Sequence, residues 1–269
     1  MTAAMPQPPL AMVAPAHLAG IFLYANCAVL VMVVIAVALF ARRGERMTGY
    51  ALIGAGAAAV LNEAIVDRLG LCWFPAVDAP PALYHAFGVS VPRFMLPVYA
   101  WYVGGQAVLA YALFRRGVTR GDVLRLYGLA ALLNFGLEAP GLNLGIYAYY
   151  GDQPLRLLMF PCWWAVANAL MPLALAAFAW RTRAALRGWR RLGLVIAGPP
   201  LALAVNAATV SPVWLALNAN MGVWPCDVAA LVAVGLGLAV SSMMAAGVVG
   251  RGAAPMRPRS ALGAGEIIV

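Results

Sequence analysis

Four acids stand in stretches that are otherwise almost wholly apolar: Glu63, Asp67, Glu138 and Asp227. Charge inside a bilayer is expensive, so such groups normally face a bundle interior or a cavity. A neutral carboxylic acid in an apolar pocket can act as a general acid, and an ionised carboxylate near it as a general base. Spacing gives them faces. Glu63 and Asp67 are i, i+4 and share one side of a helix, as do Asn134 and Glu138. Asn62, Asn168 and Asn206 lie in apolar stretches too, with Asn26 near the start of the first and Arg93 opening the third. Together they could floor one polar pocket, with the rings of Trp73, Tyr147, Tyr150, Trp163 and Trp164 placed to flank a developing cation. Plainer roles exist for some. Asp227 suits the positive end of its own helix, Asp67 could pair with Arg68 or Arg93, and asparagines hold helices together. Glu63 and Glu138 have no such plain role: each lies five or six residues, about 9 Å, from the end of its stretch at 1.5 Å per residue.

These acids need elements to carry them. The chain has 269 residues, 64% hydrophobic and only 10% charged, where a soluble domain carries about 25% charge. That excludes a water-soluble globule and a disordered chain. Seven stretches are long enough to cross a bilayer at about 20 residues each: 17–41, 47–69, 92–114, 122–143, 158–180, 192–211 and 226–250. The expected fold is an all-α, seven-helix bundle in one multi-pass domain, 1–250, followed by a short basic tail, 251–269, expected to be disordered. All 18 basic residues are arginine, and the net charge is +9. They lie between apolar stretches and not along a polar face, which favours a membrane over nucleic acid. Fifteen fall in alternate connections and the tail, leaving Arg68, Arg93 and Arg156 on the other side. The positive-inside rule then puts the N-terminus outside and the C-terminus in the cytoplasm. The first twenty residues have no positive n-region, so the first span reads as retained. The expected location is a bacterial cell membrane.

The outer connections are aromatic, with Trp73, Phe74, Tyr84, Tyr147 to Tyr150, Trp214 and Trp224. They read either as an interfacial belt or as a lid over a cavity. Cys27, Cys72, Cys162 and Cys226 all fall on the outer half. A disulfide there is open, but free thiols are the better reading. His17 and His85 lack metal-ligand spacing, so no metal site is expected. There is no phosphate-binding loop and no dinucleotide fingerprint, and no cofactor is expected. Gly54-x-Gly56 and Gly235-x-Gly237 read as close helix packing.

A repeat runs through the middle. Glu63-Ala64 precedes Leu69-Gly70, and Glu138-Ala139 precedes Leu144-Gly145, with seven residues from glutamate to glycine in both. Val91-Pro92, Phe160-Pro161 and Trp224-Pro225 then precede returning helices, and proline is tolerated in a first helical turn. The unit is a helical hairpin used twice, with a third copy suggested only by Trp224-Pro225.

The stretch from Asn62 to about Trp180 carries Glu63-x-x-x-Asp67-x-Leu-Gly-x-x-Trp73, Phe87-Gly88, Tyr99-x-x-Tyr102-x-Gly104-Gly105, Glu138-x-Pro140-Gly141 through Tyr147-x-Tyr149-Tyr150-Gly151, and Phe160-Pro161-x-Trp163-Trp164 with Asn168. It resembles the avermectin-type (AveC-like) spirocyclase family and, more loosely, is similar to the seven-helix integral-membrane terpene cyclases. The resemblance covers a little under half the chain. It implies acid/base cyclisation of a lipophilic isoprenoid or polyketide without metal or redox cofactor, with Glu63, Asp67 and Glu138 handling protons. Two other readings use the same residues differently: a proton-coupled carrier with the acids as relays, and a non-catalytic partner that assembles a membrane complex.

Overall fold

The computed structural model describes residues 5–249; the basic tail and its Arg251, Arg257 and Arg259 lie outside them. Among the described residues seven helices follow one another: α1 (Ala16–Phe40), α2 (Arg43–Gly70), α3 (residues 95–116), α4 (Arg120–Asn143), α5 (Trp163–Thr182), α6 (Gly188–Asn218) and α7 (Val223–Val249). Five of them, all but α3 and α4, are long and apolar enough to cross a membrane, which marks a membrane protein. The other two are continuous helices of similar length but more polar. Tyrosines, glycines and Gln106 dilute α3, and Asp122, Arg125, Asn134 and Glu138 dilute α4. α6 also begins and ends well beyond the 192–211 expected for it.

The helices divide into inner and outer by what they bury. α5 is 83% buried along its apolar window, and α2 is two-thirds buried. α1 is only 11% buried, so its apolar side chains face outward on nearly every side, as a helix bathed in lipid can. α2 packs chiefly on α3 and α6, and α5 on α3 and α6, while α7 covers α4, α5 and α6. Glycines allow the closest approach. Gly56 of α2 lies against the backbone of α3 at Tyr99 and Gly104, and Gly104 against Leu52 and Ile53 of α2. A Cβ on either would strike backbone, which cannot turn away. Gly198 of α6 meets Ala55 of α2 in the same manner. The expected packing role therefore holds for Gly56 and also for Gly237, which abuts Val166, but not for Gly235, which faces open space.

The all-α expectation fails at one end of the bundle. There the connections form three two-stranded antiparallel pairs: β1 (Cys72–Trp73) with β4 (Ala148–Tyr149), β2 (Ala82–Ala86) with β3 (Val89–Pro92), and β5 (Arg156–Leu157) with β6 (Phe160–Pro161). Long connections over a buried cavity must pair their backbone N–H and C=O groups, and short ladders do it. The expected proline-led helix starts are corrected with them. Pro92 and Pro161 each end a strand, and the helix begins two to three residues later. Only Pro225 lies in a first helical turn. The α6–α7 connection, residues 219–222, carries no strands, so the hairpin unit occurs twice and not three times.

The glycine contact between α2 and α3 gives a direct test. Gly104→Val should lower the unfolding stability of the detergent-purified protein by about 1–3 kcal/mol, whereas Gly136→Ala, where a Cβ meets nothing, should not. Equal midpoints for the two variants would show that the helices do not need to approach this closely.

Candidate functional site: three carboxyls in one cavity

The two hairpins bring their acids to one place. A small cavity lies between α2, α3, α4 and α5 beneath the strands, with Phe22 of α1 at its edge. Its polar lining includes Glu63, Asp67, Asn134, Glu138 and Asn168. Each glutamate is held by the helix that returns after its own hairpin. Tyr99 Oη of α3 donates to Glu63 Oε2 at 2.6 Å. Asn168 Nδ2 of α5 donates to Glu138 Oε1 at 3.1 Å. Tyr99 is the seventh residue after Pro92, and Asn168 is the seventh after Pro161. The strands obey the same relation. Trp73 is the tenth residue after Glu63 and Ala148 the tenth after Glu138, and those two pair directly across β1 and β4. The repeat read from Glu, Gly and Pro spacing is therefore present in space, with each copy facing the other across the cavity.

The copies are not equivalent. Glu138 sits in a cage of donors. Oε1 accepts from Asn134 Nδ2 at 3.0 Å and from Asn168, and Oε2 accepts from Tyr149 Oη at 2.9 Å. Tyr147 Oη donates to the Glu138 backbone oxygen at 3.1 Å and reaches the same carboxylate oxygen. Burial and the neighbouring Glu138 carboxylate hold the phenols of Tyr147 and Tyr149 well above the usual tyrosine range. Both therefore keep their protons and remain donors. Such a set of donors solvates an anion. Among the described residues Glu63 has Tyr99 and no other side-chain donor. Asp67, one turn on, occupies the place that Leu142 holds in the second copy. The Cys72 thiol bonds to Asp67, but Asp67 Oδ2 is buried without a partner. No ion pair reaches any of the three carboxyls among the described residues. A buried carboxylate oxygen without a donor is costly, so Oδ2 of Asp67 is where a proton or a ligand's donor group fits.

Local structure explains how these groups are aimed. A 3₁₀ turn at Val60–Asn62 immediately precedes Glu63. Tyr84 of β2 reaches that turn, donating to Val60 O at 2.7 Å, and burial pushes its phenol up to about 12. The end of α2 is capped from elsewhere: Asn218 Nδ2 of α6 donates to Leu69 O and Gln153 Nε2 to Gly70 O. Past Tyr99, α3 widens into a π turn over Ala100–Gly105, a feature frequent at functional sites. Within it Tyr102 lines the cavity and donates to Ala130 O of α4 at 3.2 Å. Apart from that bridge α3 and α4 scarcely touch, and the partly exposed Met95 and Leu137 line the cavity on that side. Phe74, Tyr147 and Tyr149 roof it, so part of the aromatic set acts as a lid. Trp224, 79% exposed, remains a surface ring.

No protein-family model, curated protein or solved structure matches this chain. The site therefore stands on its geometry alone.

Of the residues expected at the site, Glu63, Asp67, Glu138, Asn134, Tyr147, Trp164 and Asn168 line the cavity. Six do not. Asp227 lies near the start of α7, partly exposed, and neither α6 nor α7 contributes to the lining. Arg93 is exposed and lines an apolar groove with Pro80, Pro81 and Phe94 instead. Asn62 is buried but donates to Pro199 O of α6 at 2.7 Å. Trp163 stacks behind Trp164 with centroids 4.4 Å apart. Trp73 is taken up by the β1–β4 ladder, and Tyr150 bonds to Arg68; among the described residues Arg68 forms no ion pair with Asp67. Asn26 and Asn62 hold helices together as expected, Asn26 by accepting from Trp101 Nε1 at 2.8 Å. The four cysteines are free. Among the described residues no His, Cys, Asp and Glu group is arranged to hold a metal ion. Tyr99, Tyr102, Tyr149 and Met171 are among the lining residues that spacing did not single out. The seven-residue offset from each proline could have found Tyr99, since it also finds Asn168.

The donor cage is testable without a substrate. Asn168→Leu should lower unfolding stability by about 1–3 kcal/mol, because Glu138 loses a donor. Combining it with Glu138→Leu should cost less than the sum of the two single changes. Strictly additive losses would show that the amide and the carboxyl do not interact.

Proposed function

We propose that this chain is a seven-span membrane enzyme, N-terminus outside and C-terminus cytoplasmic, that cyclises an apolar isoprenoid or polyketide by proton transfer. The observation that carries this reading is the unequal treatment of facing carboxyls in one aromatic-roofed cavity. Glu138 is furnished with donors, while Glu63 and Asp67 share one side of α2 with a donor missing. The Glu63/Asp67 pair is the general acid. It delivers its proton to an alkene carbon, an epoxide or a ketone-derived oxygen. In the alkene case the π electrons form the new C–H bond and leave a cation. A second double bond or a hydroxyl of the same molecule attacks that cation and closes the ring. Glu138 accepts the proton released when the product forms, and it returns to the acid pair before the next turnover. The ring faces of Phe74, Phe94, Tyr102 and Trp164 stabilise positive charge in transit. The substrate enters sideways from lipid where α3 and α4 part.

Glu63→Gln and Glu138→Gln should each lower turnover about 100-fold or more, with Asp67→Asn slowing the acid step while leaving the protein folded. The readout is mass spectrometry of lipid-soluble metabolites from the native producer carrying each variant. A linear precursor should accumulate as an isomer, or a product one water lighter, disappears. Turnover within a few-fold of wild type in both glutamate variants overturns the reading. Unchanged metabolites whose partition between cells and medium shifts would mark a carrier instead.

A further inference from the structure

The opposite end of the bundle holds a second cavity that shares no residue with the first. It is lined by four arginines, Arg115, Arg183, Arg187 and Arg191, together with Glu45 and Trp180. Glu45 lies eighteen residues before Glu63 on the same helix, about 27 Å away at 1.5 Å per residue. The proposed reaction makes no use of this site, and the site's own chemistry is independent of that reaction.

The charges around this hollow are unbalanced. Glu45 is occupied: Arg115 approaches it at 3.4 Å, and Tyr111 Oη donates to it at 3.2 Å. Arg183 lies flat on Trp180, its guanidinium carbon 3.6 Å from the ring centroid, and donates to the Trp180 backbone oxygen. Arg187 and Arg191 have no carboxylate within ion-pair distance among the described residues. Arg183 and Arg187 are exposed and Arg191 half-buried; Arg43 and Arg116 are exposed as well but do not line the cavity, and topology alone accounts for them. Three unneutralised guanidinium groups gathered round a concavity repel one another unless an anion joins them. Their planar forks match phosphate oxygens in pairs.

We propose that this cavity binds a phosphate group. The level at which it sits favours the headgroup of an anionic lipid. The turn at Gly188–Leu192 that carries Arg191 also carries the exposed Trp189 and Leu192, and α1 ends at this level in the exposed Phe40. Apolar and indole side chains beside arginines are what a bilayer interface accommodates. A soluble phosphate ester offers the same chemistry, and the test separates the two.

The full-length protein is placed in nanodiscs of phosphatidylcholine with or without phosphatidylglycerol, and retained lipids are counted by native mass spectrometry. Thermal unfolding in detergent is followed in parallel against inorganic phosphate and pyrophosphate. Phosphatidylglycerol should be retained selectively, and Arg187→Gln and Arg191→Gln should each weaken retention about tenfold. Arg116→Gln, which removes an equal charge outside the cavity, should not. The ligand-free Arg187→Gln protein should unfold no earlier than wild type, since it loses a repulsion and not a contact. If pyrophosphate stabilises wild type but not Arg187→Gln, with no preference among lipids, the bound phosphate is that of a soluble ester. The site is overturned if neither probe distinguishes wild type from the Arg187 and Arg191 variants, or if Arg116→Gln weakens binding equally.

Discussion

A carboxyl taken out of water must find hydrogen-bond donors or carry its own proton, and the architecture follows from meeting that need three times in one cavity. For Glu63 the donor is Tyr99, so α2 and α3 must lie close enough for a tyrosine to bridge them. Facing glycines at Gly56 and Gly104 permit that approach. For Glu138 the donors come from three directions: Asn134 on its own helix, Asn168 on α5, and Tyr149 from the strands above. A cage assembled from separate elements is rigid only if each element is anchored. Asn62 on Pro199 of α6 ties two helices together, and Asn218 on Leu69 and Gln153 on Gly70 supply anchors where a helix end leaves carbonyls open.

Duplication of one hairpin accounts for the arrangement, and its imperfection accounts for the unequal surroundings of the two glutamates. Two copies facing each other across β1 and β4 place two glutamates opposite one another. A perfectly symmetric pair would have matched surroundings and no reason to differ in protonation. Asp67 in place of Leu142, and Tyr99 in place of Asn168, break that symmetry in opposite senses. One side gains a second carboxyl with an unmet oxygen, and the other gains amide donors. Pairs of titratable groups whose environments are driven apart are the general route to an acid and a base in one site.

The two ends of the bundle are specialised by the same rule. At the strand-bearing end, backbone ladders and tyrosines satisfy polar groups over the carboxyl cavity. At the arginine-rich end, positive charge outnumbers its acidic partners among the described residues, and Arg183, Arg187 and Arg191 around the concavity beside Trp180 have no carboxylate partner among them. The long helices α2, α3 and α5 contribute to both cavities from opposite ends. A change in helix tilt at one end would therefore be felt at the other.

Composition and stretch length alone determined the helical, membrane class, because in an apolar medium a backbone must satisfy itself in helices or a closed barrel, and uninterrupted apolar stretches of about 20 residues fit helices. The i, i+4 spacing of Glu63 with Asp67 and of Asn134 with Glu138, and the repeated Glu-to-Gly interval, were legible for the same reason: helix geometry converts spacing into a shared face. Spacing could not decide which faces meet. Asp227 and Arg93 looked equivalent to the other polar residues, yet α7 covers the bundle from outside and Arg93 turns toward a separate groove. The strands were illegible because segments of two to five residues between prolines and glycines carry almost no periodic signal, and the need they meet arises only from a cavity beneath them. The donors Tyr99 and Tyr149, and the concentration of four arginines around one hollow, exist only through contacts between elements far apart in the chain. Tertiary packing alone brings those elements together.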